Sequence, residues 1–379
     1  MIVPLLIGSS VSFLLGAVLI VSTRSVHRDA LVQAMFILVT LTVVAAVNLR
    51  FGIIEQKFAS EFAFDRFLGQ ESLRPNDTFA VQALANTPAF LLAQGWEAAI
   101  GTNAAVTALT YAFLWDQRSR AHLYFLAPAA LNFSFFALRD PFIGLIFMFL
   151  VLSFGSEFTL RKLPVPLLIA GVAMFWTRPE NLLIILALVG VLAYQHSRTS
   201  LMRFCVIGAG GIAAIGALRF APALLGVNQT ISIGNLPAFF AEFSEDRGTR
   251  TAATGVGGGS DILGGALQRW PLPIRYPVQL FTFFVLPLPF EIRSVTLLLS
   301  AVDSVFFFFA SRKLFKEGTA PSKLLFVVYV LVAAFFSSNY GNVFRIRYPL
   351  YFIIGAGLYS NRNRNAEEES GQKQALASR

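Results

Sequence analysis

Hydrophobic residues run along this chain in long continuous blocks, separated by short polar breaks that carry most of its arginine and lysine. Such blocks predict apolar helices. They mark eleven candidate spans: Ile2–Ser22, Ala30–Leu49, Ile100–Trp115, Ala121–Leu138, Pro141–Phe158, Leu163–Thr177, Asn181–Gln195, Phe204–Leu225, Ser294–Ala310, Leu324–Ser338 and Leu350–Ser360. Several are short for a hydrocarbon core of about 30 Å, so their ends extend past the charged residues that bound them. A twelfth run, Val278–Phe290, holds Pro287 and Pro289 in the string VLPLPF. Two prolines so close remove backbone donors and bend the chain, which predicts a re-entrant or interfacial segment.

The expected fold class is therefore all-α: a polytopic transmembrane helical bundle of about 11 spans plus a re-entrant segment. Residues 1–360 form one transmembrane domain with long loops at 50–99 and 219–293, and 361–379 is a polar tail expected to be disordered. The first run lacks a basic leader and a small-residue cleavage site, so it is expected to be retained as a span.

Short-loop charge sets the orientation. Arg24, Arg28, Arg118, Arg120, Arg161, Lys162, Arg198, Arg203, Arg312, Lys313, Lys316 and Lys323 fall on one side, together with Arg362 and Arg364 of the tail. This places the N-terminus outside, the C-terminus in the cytoplasm and both long loops outside, in a bacterial plasma (inner) membrane. It requires Val278–Phe290 to return to its own side.

Composition sharpens this picture. The chain of 379 residues is 56% hydrophobic and 13% charged, where a soluble domain carries about 25% charged residues. The net charge of +9 suits anionic lipid; spread over short loops, it argues against nucleic acid as a partner. One cysteine, Cys205, excludes an intramolecular disulfide. The three histidines, His27, His122 and His196, fall on or near the inner side, so no metal site and no cofactor are expected.

Candidate chemistry lies with arginine. Twenty-four arginines stand against six lysines, and thirteen of the fourteen basic residues assigned to the outer side are arginine. Phosphate and carboxylate recognition favours the planar, bidentate guanidinium over an ammonium. Three turns stand out: ALRDPF with Arg139 and Asp140, WTRPEN with Arg178 and Glu180, and NVFRIRYP with Arg345 and Arg347. Each could instead anchor the chain among headgroups or form a local ion pair. Asp303 is a lone acid within an apolar run, either a structural hydrogen-bonding group or part of a polar cavity. The string DRGTRTAATGVGGGSD in the second long loop has a backbone cheap to rearrange, as a lid requires.

ALRDPF, WTRPEN and FRIRYP, with the GGGSD loop and the PLPFE segment, resemble the pattern of bacterial polysaccharide-repeat polymerases (Wzy-like and EpsG-like) and of GT-C-type glycosyltransferases that use lipid-linked sugars. The resemblance covers roughly residues 97–360 through short motifs; the first long loop lacks the paired acids usual in GT-C enzymes. It implies an outward-facing enzyme that takes sugars from polyprenyl phosphate or diphosphate carriers to a glycan acceptor. Arg139, Arg178, Arg345 and Arg347 would then hold the (di)phosphate and stabilise the leaving group. Asp140 or Glu180 would deprotonate the acceptor hydroxyl, or else both acids would only orient the arginines. The rival class is a transporter or flippase of lipid-linked or anionic substrates, in which broken helices and midplane polar groups are expected.

Overall fold

The computed structural model describes residues 2–23, 27–51, 96–117, 119–134, 140–155, 164–177, 181–196, 199–200, 203, 270, 272–285, 287, 292, 295–335 and 340–377. Among these all regular structure is helical: α1 (Ile2–Thr23), α2 (Arg28–Phe51), α3 (Trp96–Phe113), a 3₁₀ turn (Ala121–Leu126), α4 (Pro128–Phe133), α5 (Asp140–Phe154), α6 (Pro164–Thr177), α7 (Leu182–His196), α8 (Leu272–Val285), α9 (Val295–Glu317), α10 (Ala320–Phe335) and α11 (Tyr340–Ala377). Two helices, Ile2–Ser22 and Arg28–Phe51, are long and apolar enough to cross a membrane. Segments within α5, α6, α7 and α10 are apolar but shorter. Phe204–Leu225, both long loops for most of their length, and the glycine-rich lid expected there lie outside the described residues.

The residues divide into two compact units. Unit one holds 1–166, 309–323 and 348–379; unit two holds 167–308 and 324–347.

Unit one is built on α3. Its small residues Ala104, Ala105, Ala108 and Ala112 are buried against a stripe on α2, where Ala30, Ala34, Leu38 and Leu41 recur at helical spacing. Small side chains let helix backbones approach closely. The approach to α1 is closer still: a Cβ on Gly8 would strike the backbone of Ala98, and one on Gly101 would strike the Leu5 carbonyl. Ser12 and Thr102 hydroxyls bond across the same seam at 3.0 Å. The other faces of α1 and α2 are apolar and open, with Val18 68% and Phe36 73% exposed. That is what a helix does when its outer neighbour is as apolar as itself.

Several expected boundaries shift, each for a local reason. Within the span expected over Ala121–Leu138, residues 121–133 form a 3₁₀ turn followed by α4. Ala127 takes an extended ψ of 147° before Pro128, because a residue preceding proline avoids the helical region. Helix α5 stops at Phe154, since Gly155 adopts a φ of 61° and its N–H closes back on the Val151 and Leu152 carbonyls. The N-terminal part of the run expected to be re-entrant belongs to the regular helix α8, with Pro277 inside it. The stretch expected to be a turn between two spans, Asn339–Pro349, is helical from Tyr340 onward. It forms the start of α11, and Pro349 is carried inside that helix. Helix α11 runs on past Ser360 to Ala377, through the polar tail.

Candidate functional site

The site in unit two starts from a missing proton. In α8 the carbonyl of Phe283 would normally accept the N–H of the residue four places on, but that residue is Pro287, which has none. The carbonyl is orphaned at the negative end of a helix dipole, where a cation is favoured. Arg347 of α11 takes it twice: Nε donates to the Phe283 oxygen at 3.1 Å and Nη2 at 2.6 Å. Nη1 donates to Ser304 Oγ at 2.6 Å and lies 3.5 Å from Asp303 Oδ2. Arg347 and Asp303 are both fully buried. Their surroundings are apolar, with the guanidinium carbon 5.5 Å from the Phe307 ring centre and 5.9 Å from that of Phe283. A buried charge persists only when paired and hydrogen-bonded; here the Phe283 carbonyl and the Ser304 hydroxyl supply the hydrogen bonds and Asp303 the opposite charge.

Contacts in unit two also fix helix directions. Tyr276 of α8 donates to the Leu331 carbonyl of α10 at 2.7 Å. Phe283, further along α8, meets Phe307, which stacks on Phe326. Advancing along α8 thus means retreating along α10, so these two are antiparallel. Helices α9 and α10 are joined through Gly318 and Thr319 alone, as an antiparallel pair requires. Tyr329 of α10 donates to the Ile346 carbonyl of α11 at 3.3 Å, eight or nine residues either side of their connection. The N-terminal ends of α8, α9 and α11 therefore point the same way. One face of α8 carries Arg275, Gln279 and Phe283, and one face of α9 carries Ser300, Asp303, Ser304 and Phe307, all buried.

Unit one has its own polar interior. Tyr348 shares a 2.9 Å hydrogen bond with Thr107, which shares another of 2.7 Å with Ser134. Asp140, in the first turn of α5, is 1% exposed and lies within electrostatic reach of the Tyr348 phenol. A carboxylate suits that position, the positive end of a helix.

The residues expected to form the site are thus distributed. Arg139, Arg178 and Glu180 lie outside the described residues. Asp140 belongs to unit one; Arg345 and Arg347 belong to unit two. Both arginines of the expected clamp, Arg345 and Arg347, lie on α11. Two residues apart on a helix, their side chains leave the axis about 200° apart. Arg347 is already spent on Phe283, Ser304 and Asp303, while Arg345 is half-buried. Sequence reasoning missed the acceptors: Pro287 signalled the Phe283 carbonyl, and the spacing of Arg275, Gln279 and Phe283 signalled a buried polar face. Among the described residues no group of three His, Cys, Asp or Glu is placed to hold a metal ion.

No protein-family model matches this chain, and neither does any curated protein or solved structure. What fold and site define is a class: a protein whose described residues are helical, with two helices among them long and apolar enough to cross a membrane, and with a buried arginine–aspartate pair inside one of its units.

Proposed function

We infer that this chain is a polytopic plasma-membrane protein of about eleven spans, oriented with its C-terminus in the cytoplasm. Its activity is transfer or polymerisation of sugars carried on polyprenyl phosphate or diphosphate at the outer face. The observation that carries this reading is the retention of guanidinium groups inside apolar helices, Arg347 at 0% and Arg275 at 6% exposure. Ionisable side chains are expensive there, and functional sites are where they are kept. In the reaction, the acceptor hydroxyl oxygen bonds to the anomeric carbon as the bond from that carbon to the phosphate oxygen breaks. The electron pair leaves on the (di)phosphate, and the hydroxyl proton passes to a carboxylate. Asp140 or Glu180 is assigned that proton, and Arg139, Arg178 and Arg345 the phosphate charge. Arg347 is assigned a positioning role, holding α8, α9 and α11 together.

Deleting the gene and profiling surface glycans with polyprenyl-linked intermediates tests this. A missing or shortened glycan with accumulated carrier-linked sugar is expected; unchanged glycans and carriers would refute it. A second reading, translocation of a lipid-linked or anionic substrate, is favoured by the buried Arg347–Asp303 pair beside a helix that carries Pro277 inside it. Proteoliposomes holding the purified protein separate the two. Movement of labelled carrier between leaflets without new glycosidic bonds would select translocation.

A further inference from the structure

The polar faces described above carry three buried side chains outside the Arg347 network: Arg275, Gln279 and Ser300. Arg275 is 6% exposed, and its Nε is buried with no hydrogen-bond partner among the described residues. Ser300 is 2% exposed, and its hydroxyl is likewise buried and unpartnered. Arg275 and Ser300 fall at one height. Arg275 precedes Phe283 by eight residues, about 12 Å along α8, and Ser300 precedes Phe307 by seven, about 10 Å along α9. Those two phenylalanines touch, and the helices run the same way.

Arg275 is also in the first turn of α8, where the N–H groups of Leu272 and Ile274 have no intrahelical acceptor. The N-termini of α9 and α11 point to the same end. The donors gathered here are a guanidinium N–H, a hydroxyl and helix N-terminal amides, and the buried Gln279 Oε1, one turn beyond Arg275, is an acceptor on the same face. A fixed positive charge with spare donors at a helix start asks for an anion with several acceptor oxygens.

We propose that Arg275 and Ser300, with the start of α8, form a phosphate-binding subsite in unit two, whose occupant is the phosphate or diphosphate group of a lipid-linked sugar carrier. The carrier's identity rests on the transferase reading; the subsite itself does not. It replaces Arg347 as the phosphate ligand: Arg347 closes the far end of α8, and Arg275 opens its near end to the substrate.

The test uses the full chain in nanodiscs of neutral lipid, with inorganic pyrophosphate and then polyprenyl diphosphate as probes. Wild-type protein is expected to bind both, the polyprenyl form more tightly. Arg275→Gln should weaken binding about tenfold or more, and Ser300→Ala about threefold, while Arg28→Gln, on the exposed start of α2, changes nothing. If Arg275→Gln does not insert, Arg275→Lys and Ser300→Ala carry the test, since both keep polarity or size. Wild-type protein that binds neither probe would overturn the proposal, as would equal binding by the Arg275 and Ser300 variants. Pyrophosphate displaced by phosphatidylglycerol but not by polyprenyl diphosphate would overturn the carrier as occupant. Binding that depends on Arg275, in a chain whose gene deletion leaves surface glycans unchanged, would keep the subsite and discard the transferase reading.

Discussion

Replacing Asp303 by leucine should be among the most damaging single changes in unit two. The substitution removes the carboxylate that lies 3.5 Å from Arg347 Nη1 and leaves a guanidinium that is fully buried and cannot shed its charge. Breaking a buried pair in this way costs about 3–5 kcal/mol. Arg347→Met breaks the same pair from the other side. It also strands the Phe283 carbonyl, which Pro287 cannot satisfy, adding roughly 1–3 kcal/mol. The double variant Asp303→Leu with Arg347→Met leaves no uncompensated charge, so it should retain only the carbonyl penalty, roughly 1–3 kcal/mol. Equilibrium unfolding of the purified full chain in mixed detergent micelles, followed by circular dichroism, reads all four proteins. The reasoning requires a coupling energy of at least about 1 kcal/mol between the two positions. A double variant as unstable as the sum of the singles would refute it.

Three further outcomes follow from other parts of the chain. Gly101→Val should prevent α1 from seating on α3, because its first carbon would strike the Leu5 carbonyl, a backbone atom that cannot rotate away; a loss of about 1–3 kcal/mol is expected, read as protease sensitivity in membranes. Tyr348→Phe removes the 2.9 Å bond to Thr107 and should cost about 0.5–1.5 kcal/mol in the same micelle assay, while Thr107→Val, which also removes the 2.7 Å bond to Ser134, should cost more. A reporter fused after Arg364 should behave as cytoplasmic; an external C-terminus would reverse the orientation and move every outer-face assignment to the inside.

The helical character of the chain was legible because apolar runs need no long-range information to become helices. Ile2–Ser22, Ala30–Leu49, Leu163–Thr177 and Asn181–Gln195 are recovered within a few residues at each end. Boundaries failed where charged residues were treated as stops. Arg345 and Arg347 fall inside α11, because a helix ends when its hydrogen bonds end and a buried arginine with partners does not interrupt them. The candidate site was legible in its residue types and not in its pairings. That Asp303 would meet Arg347, rather than stand alone, depends on α9 and α11 being neighbours, which no local pattern encodes. Yet half of that pairing was written in the sequence. VLPLPF states that the Phe283 carbonyl must find a donor other than the backbone, and a long guanidinium is a side chain able to supply two N–H bonds to one oxygen.

The stretch NVFRIRYP therefore divides its labour by helical geometry. Arg347 points into unit two and is consumed there, tying the end of α8 to α9 through a carbonyl, a hydroxyl and a carboxylate. Arg345 leaves α11 on the opposite side, and Tyr348, one residue beyond Arg347, enters the hydroxyl network of unit one. Three neighbouring residues on one helix thus serve three different surroundings, and substituting any of them by a residue of equal charge tests only one. A lysine at 347 keeps the charge opposite Asp303 but presents one nitrogen where the guanidinium places Nε and Nη2 on the same oxygen, so the α8 end loosens even with the ion pair intact. Charge alone does not account for this stretch. The fork shape of Arg347 matters because Pro287 leaves the Phe283 carbonyl without its i+4 donor, and Nε and Nη2 both reach it.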